Sequence, residues 1–103
     1  YEVKTENQKA FFSVVKEKRK YFLKAGYVTS RPPVLMRSKI DKTILLEIFE
    51  WTSEKYCEDA HHDDKVQSYW NRMYELWEDG GFGLEQIQES KLSFAHFDPI
   101  DIY

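Results

Sequence analysis

The stretch Ile44-Leu-Leu-Glu-Ile-Phe-Glu-Trp51 constrains this chain most. Within a strand over Thr43–Trp51 it alternates Ile44, Leu46 and Ile48 against Leu45, Glu47, Phe49 and Trp51, so both faces are largely apolar. An antiparallel strand with one face in water carries polar residues on that face. This one therefore needs cover on both sides. Helices can cover one face, and in a chain of 103 residues a second copy is the natural cover for the other, so a homodimer is expected.

The remaining segments read as elements built around that strand. Tyr1-Glu-Val-Lys4 alternates apolar and polar residues like the end of a first strand, truncated at its N-terminal side. Thr5 with Gln8 has the form of a capping box and should open a helix. Phe11, Phe12, Val15 and Phe22 then recur at helical spacing, and Gly26 supplies a left-handed stop. Pro32-Pro33 confines 27–33 to a loop or strand edge. Val34–Ser38 reads as a second strand and Lys39–Lys42 as a turn into the third.

Ser53 should cap a short helix with Tyr56, Cys57, Ala60 and His61 on one face. Asp64 with Gln67 should open another, striped by Val66, Trp70, Met73 and Trp77 and ended by Gly80-Gly81. Leu84–Glu89 suggests one more helical turn. Leu92–Phe97 reads as a fourth strand ended by Asp98-Pro99, leaving Ile100–Tyr103 as a tail that frays or pairs with a partner. The predicted class is α+β: one ferredoxin-like βαββαβ domain over 1–103, an antiparallel sheet with helices on one face.

Composition narrows the partners. A net charge of −3 with both signs interleaved offers no basic field for phosphates, so nucleic acid is not an expected partner. One cysteine, Cys57, cannot form an intrachain disulfide, and no apolar run is long enough to span a bilayer. The expected setting is cytoplasmic, without a membrane partner. The 17% aromatic content beside 32% charged residues predicts aromatics gathered on buried or dimer-facing surfaces.

Taken together, Leu46-Glu-Ile-Phe-Glu-Trp51, the Ser53-Glu54 helix start, Ala60-His61 and the Val66…Trp70 helix resemble the antibiotic biosynthesis monooxygenase-like (ABM) family across most of the chain. The resemblance implies a dimeric α+β barrel, in which two ferredoxin-like sheets face each other and an apolar or aromatic small molecule fits between sheet and helices. Family activities include cofactor-independent oxygenation of polycyclic aromatics, which implies a monooxygenase with no cofactor. A haem-degrading branch uses a tryptophan and a ligating histidine that fall on His61 and Asn71 here.

Two residues could carry chemistry. His61, on the face assigned to its helix, is a candidate proton acceptor, or else a histidine satisfied by a backbone carbonyl. Glu47, a carboxylate among Leu45, Phe49 and Trp51, is either a desolvated acid or base or the anion of an ion pair with Arg37 or Arg31. Trp70, Trp51, Tyr69, Met73 and Phe49 are candidates for a ligand pocket, or else ordinary core. His61-His62-Asp63-Asp64 is not expected to bind metal, because adjacent helical residues diverge and the aspartates suit helix caps.

Overall fold

A computed structural model describes residues 1–77 and 97–103. Its elements are α1 (Thr5–Ala25), β1 (Val34–Ser38), β2 (Leu45–Ile48), α2 (Glu54–His61), α3 (Asp64–Leu76) and β3 (Phe97–Ile100). The described strands form an antiparallel sheet in the order β2-β1-β3. Tyr1–Val3 lies along the other edge of β2: Tyr1 and Leu45 exchange backbone hydrogen bonds of 2.8 Å, and Val3 N donates to Thr43 O at 2.7 Å. This pairing is also antiparallel, bridging Glu2 and Ile44. Tyr1–Val3 and β1 are therefore parallel, joined through α1 with β2 between them. In the same way β2 and β3 are parallel, joined through α2 and α3 with β1 between them. The result is a small α+β domain.

Register assigns the faces. Leu45 and Glu47 pair with Arg37 and Leu35, which pair with Asp98 and Ile100, and these point toward the helices. Phe11, Val14 and Val15 of α1 meet Val3, Leu45 and the Tyr69 and Met73 of α3 in one cluster; Phe22, Val28, Ala60 and Val66 form a second. Burying each large apolar side chain contributes about 2 kcal/mol. The opposite face carries Val34, Met36, Leu46, Ile48 and Pro99. No described helix covers it, and Val34 and Ile48 are 42% and 50% exposed.

Local signals placed several boundaries as expected. Gly26 adopts φ 81°, its N–H bonds to Leu23 O, and Tyr27 N bonds to Phe22 O at 3.0 Å, closing α1 with a left-handed residue. Ser53 caps α2, its side chain accepting from Tyr56 N. β1 spans the predicted residues.

Other expectations need correction. Thr5 and Gln8 form no capping box: Lys4 occupies the cap, and the buried Gln8 amide instead donates to Val3 O and Lys42 O, tying α1 to the sheet. Asp63, not Asp64, caps α3, and the Gln67 amide turns to His61 O. Regular pairing in β2 covers only Leu45–Ile48, flanked by bridges at Ile44 and Trp51. Between the Val28–Trp51 and Val34–Ile48 pairings, Pro32-Pro33 sits in extra residues that loop out of the ladder.

Pro99 does not end the last strand but lies inside β3, on an edge where its missing N–H is tolerated. Gly80-Gly81, Leu84–Glu89 and most of Leu92–Phe97 lie outside the described residues. No described helix is long and apolar enough to cross a membrane.

Candidate functional site

The most unusual group on the helix side of the sheet is Glu47. β2 turns it toward α1, where Phe11, Val15, Lys18 and Phe22 follow one stripe. Lys18 therefore points into the core, and its Nζ donates to Glu47 Oε1 at 2.8 Å and Oε2 at 3.1 Å. The two side chains are 3% and 4% exposed. The Tyr1 hydroxyl adds a 3.0 Å bond to Oε1. Lys18 Nζ also stands 5.1 Å from the Phe49 ring centroid and 5.6 Å from that of Phe22, within cation–π range.

A charge in so dry a place persists because its counter-charge and hydrogen bonds come with it. Burial pushes the Tyr1 phenol well above its ordinary pKa, and the Glu47 charge and hydrogen bond reinforce this. Tyr103 is raised as well, first by burial and then by Glu47.

The expected arginine partners of Glu47 lie elsewhere. Arg37 donates from Nε and Nη2 to Gln8 Oε1 at 3.2 and 2.7 Å, and Arg31 pairs with Glu50 at 3.0 Å on the surface. Lys18 was missed because it reads as one more lysine on a lysine-rich helix. The available signal was its position in the apolar stripe, three residues after Val15 and four before Phe22.

Two expected pocket residues, Phe49 and Trp51, come together with the candidate acid or base Glu47. Glu47, Phe49 and Trp51, with Leu46 and Ile48, line an open groove of about 430 Å³ wrapped around β2. Trp51 also lies 5.1 Å from Phe49 and 5.6 Å from Phe22, centroid to centroid. Tyr69 and Met73 belong instead to the core beneath α1. Trp70, half-buried, packs edge-on to Phe22 at 6.5 Å and lies 4.8 Å from the His61 ring.

His61 does not join Glu47. The buried side of α2 is carried by Ala60 alone, while Tyr56 and His61 are exposed. The His61 Nδ1 lies 2.7 Å from Cys57 O. A carbonyl can only accept, so Nδ1 carries the proton in this bond and the ring is held against its own helix. His62 is exposed at the end of α2. Among the described residues no group of three or more His, Cys, Asp or Glu side chains is arranged to hold a metal ion.

A second polar centre was legible only in part. Asp63 Oδ1 caps α3 through Lys65 N at 2.8 Å and Val66 N at 3.4 Å. Its Oδ2 accepts from the hydroxyls of both Tyr21 and Tyr27 at 2.6 Å. Those two phenols hold the carboxyl below its ordinary range, helped by the cap bonds. In return the bond to Asp63 raises Tyr21 and pushes Tyr27 up to about 12. Sequence reasoning offered both aspartates as caps without choosing Asp63, and it missed the tyrosines, which are 42 and 36 residues away.

No family model, curated protein or solved structure matches this chain.

Proposed function

We propose that this chain is a ferredoxin-like association module that pairs with a second copy through the open face of its sheet, giving the dimeric α+β barrel that the ABM resemblance implies. The observation that carries the reading is the uncovered apolar face. Val34 and Ile48, 42% and 50% exposed, adjoin Met36 and Leu46 on the side away from every described helix. Contiguous apolar surface rimmed by polar residues marks an association site more often than a free surface. A second copy satisfies it by symmetry, since the same patch faces itself across a two-fold axis. Sedimentation at micromolar concentration should give about twice the 12.4 kDa chain mass, and a single-chain mass would refute the reading.

A second reading is favoured by the groove at β2. Its volume of about 430 Å³ suits a small molecule, and Phe49 and Trp51 supply flat apolar walls beside the Glu47 carboxylate. An apolar or aromatic ligand there would accord with oxygenase chemistry in the family that the chain resembles. A thermal-shift screen with quinols, flavins and haem tests this, because a ligand that binds only the folded state raises its melting temperature. No shift with any of the three counts against ligand binding and leaves the association module.

A further inference from the structure

The helical layer holds a cleft away from both β2 and the open sheet face. α3 runs back along α1, since Glu17 meets Arg72 while Tyr21, four residues later, meets Tyr69 and Lys65. Between the two helices lies an open cleft of about 290 Å³ lined by Glu17, Lys20, Tyr21, Lys24, Lys65 and Tyr69. Tyr69 is buried and Tyr21 half-buried, with ring centroids 5.9 Å apart, whereas the three lysines are exposed. The tyrosines therefore make the floor and the lysines the rim. The nearest carboxylates are engaged elsewhere. Glu17 is held by Arg72 at 2.7 Å, and Asp63 gives one oxygen to the Tyr21 and Tyr27 hydroxyls and the other to the first amides of α3. Among the described residues no carboxylate pairs with Lys20, Lys24 or Lys65. Lys65 Nζ stands 4.7 Å from the Tyr21 ring centroid, which holds its ammonium over the floor. Lys16, Lys20 and Lys24 follow one another at four-residue spacing on α1, and like charges so spaced weaken a helix unless an anion lies between them. A chain of net charge −3 thus gathers three unpaired ammonium groups around one cleft, where a field of one sign concentrates counter-ions.

We propose that this cleft binds a small compound carrying two or more phosphate groups, its phosphates lying between Lys20, Lys24 and Lys65. A lysine ammonium is a compact point charge on a flexible stem, able to close on phosphate oxygens without a set geometry. Three of them converging on one cleft match a multiply charged anion better than a single carboxylate. The tyrosine floor gives an organic body attached to the phosphates an apolar surface to rest on. The cleft lies on the helix side of the sheet, so it stays open to solvent when a second copy covers the opposite face.

Tripolyphosphate, ATP and adenosine, each titrated without divalent metal into the nitrogen-labelled chain at about 150 mM salt, test the site by amide NMR. Tripolyphosphate and ATP should both shift the amides of Lys20, Tyr21, Lys24, Lys65 and Tyr69, with dissociation constants below about 1 mM. Tighter binding of ATP would add a contact of its ring or sugar with the tyrosines, and equal binding would assign the recognition to phosphate alone. Adenosine, without phosphate, should not bind. The double variant Lys20→Gln with Lys65→Gln should weaken both phosphate compounds at least about tenfold, with circular dichroism unchanged because both side chains are exposed. No shift at these five residues, an unchanged dissociation constant in the double variant, or adenosine binding as tightly as ATP would overturn the site.

Discussion

Lys18 and Glu47 form a bidentate ion pair, at 2.8 and 3.1 Å, between α1 and β2, with both side chains almost wholly buried. Breaking such a pair strands a charge that water cannot reach, which costs far more than the pair itself contributes. Glu47→Gln and Lys18→Met should each destabilise the fold by about 3 kcal/mol or more. Lys18→Met combined with Glu47→Leu should recover most of that loss, since two apolar side chains leave no orphaned charge. Urea unfolding of wild type and the three variants measures these losses. Single-variant losses below about 1 kcal/mol would place the pair in solvent.

Asp63 joins three segments through one carboxylate, and its pH behaviour follows from its depressed pKa. A carboxyl held lower in the folded state contributes stability that is present above the unfolded value, near about 4, and lost as pH falls through the folded one. The advantage of the wild type over Asp63→Asn should therefore be constant from neutrality to about pH 5 and shrink below about pH 4. Tyr27 works in the opposite sense. Raised to about 12, it contributes stability that is complete below its unfolded value of about 10 and lost as pH rises through the folded one. Denaturant midpoints of wild type, Asp63→Asn and Tyr27→Phe across both ranges check these signs.

Gly26 closes α1 at φ 81°. A Cβ there would lie 3.9 Å from Tyr56 Cε1, an ordinary contact, so the cost of Gly26→Ala is conformational alone. It should be about 1 kcal/mol, and Gly26→Asn should cost less because asparagine tolerates the left-handed region. A loss of several kcal/mol by chemical unfolding would reveal crowding that this geometry does not contain.

Ile48→Lys places an ammonium on the open sheet face, at the last rung of β2 with β1, without touching the helix side. If a second copy covers that face, the dimer should dissociate at least about tenfold more readily, while the circular dichroism of the chain stays the same. Sedimentation across a concentration series measures this, and an unchanged dissociation constant would place the interface elsewhere.

Much of this architecture was legible because it is local. Glycine at Gly26, serine at Ser53 and the period-two pattern around Leu45 each act within a few residues, and each produced its expected element. The site was less legible because it is made by contacts between distant segments. Gln8 looked like half of a capping box and is instead a buried bridge to Lys42 and Arg37. Glu47 was correctly singled out as a carboxylate in apolar surroundings, but its partner lay 29 residues away on a helix whose lysines all look alike. The placement of His61 beside Ala60 suggested a shared face, whereas a helix turns about 100° per residue and buries only the alanine here.

Pro99 in β3 has a consequence for what this sheet can become. Beyond β3 no further described strand pairs, and proline has no N–H to offer a newcomer, while Asp98 and Asp101 bring charge to the same short segment. Edges blunted by proline and charge resist the open-ended strand addition that leads to fibres. The edge that closes the described sheet thus carries its own stop signal against open-ended strand addition.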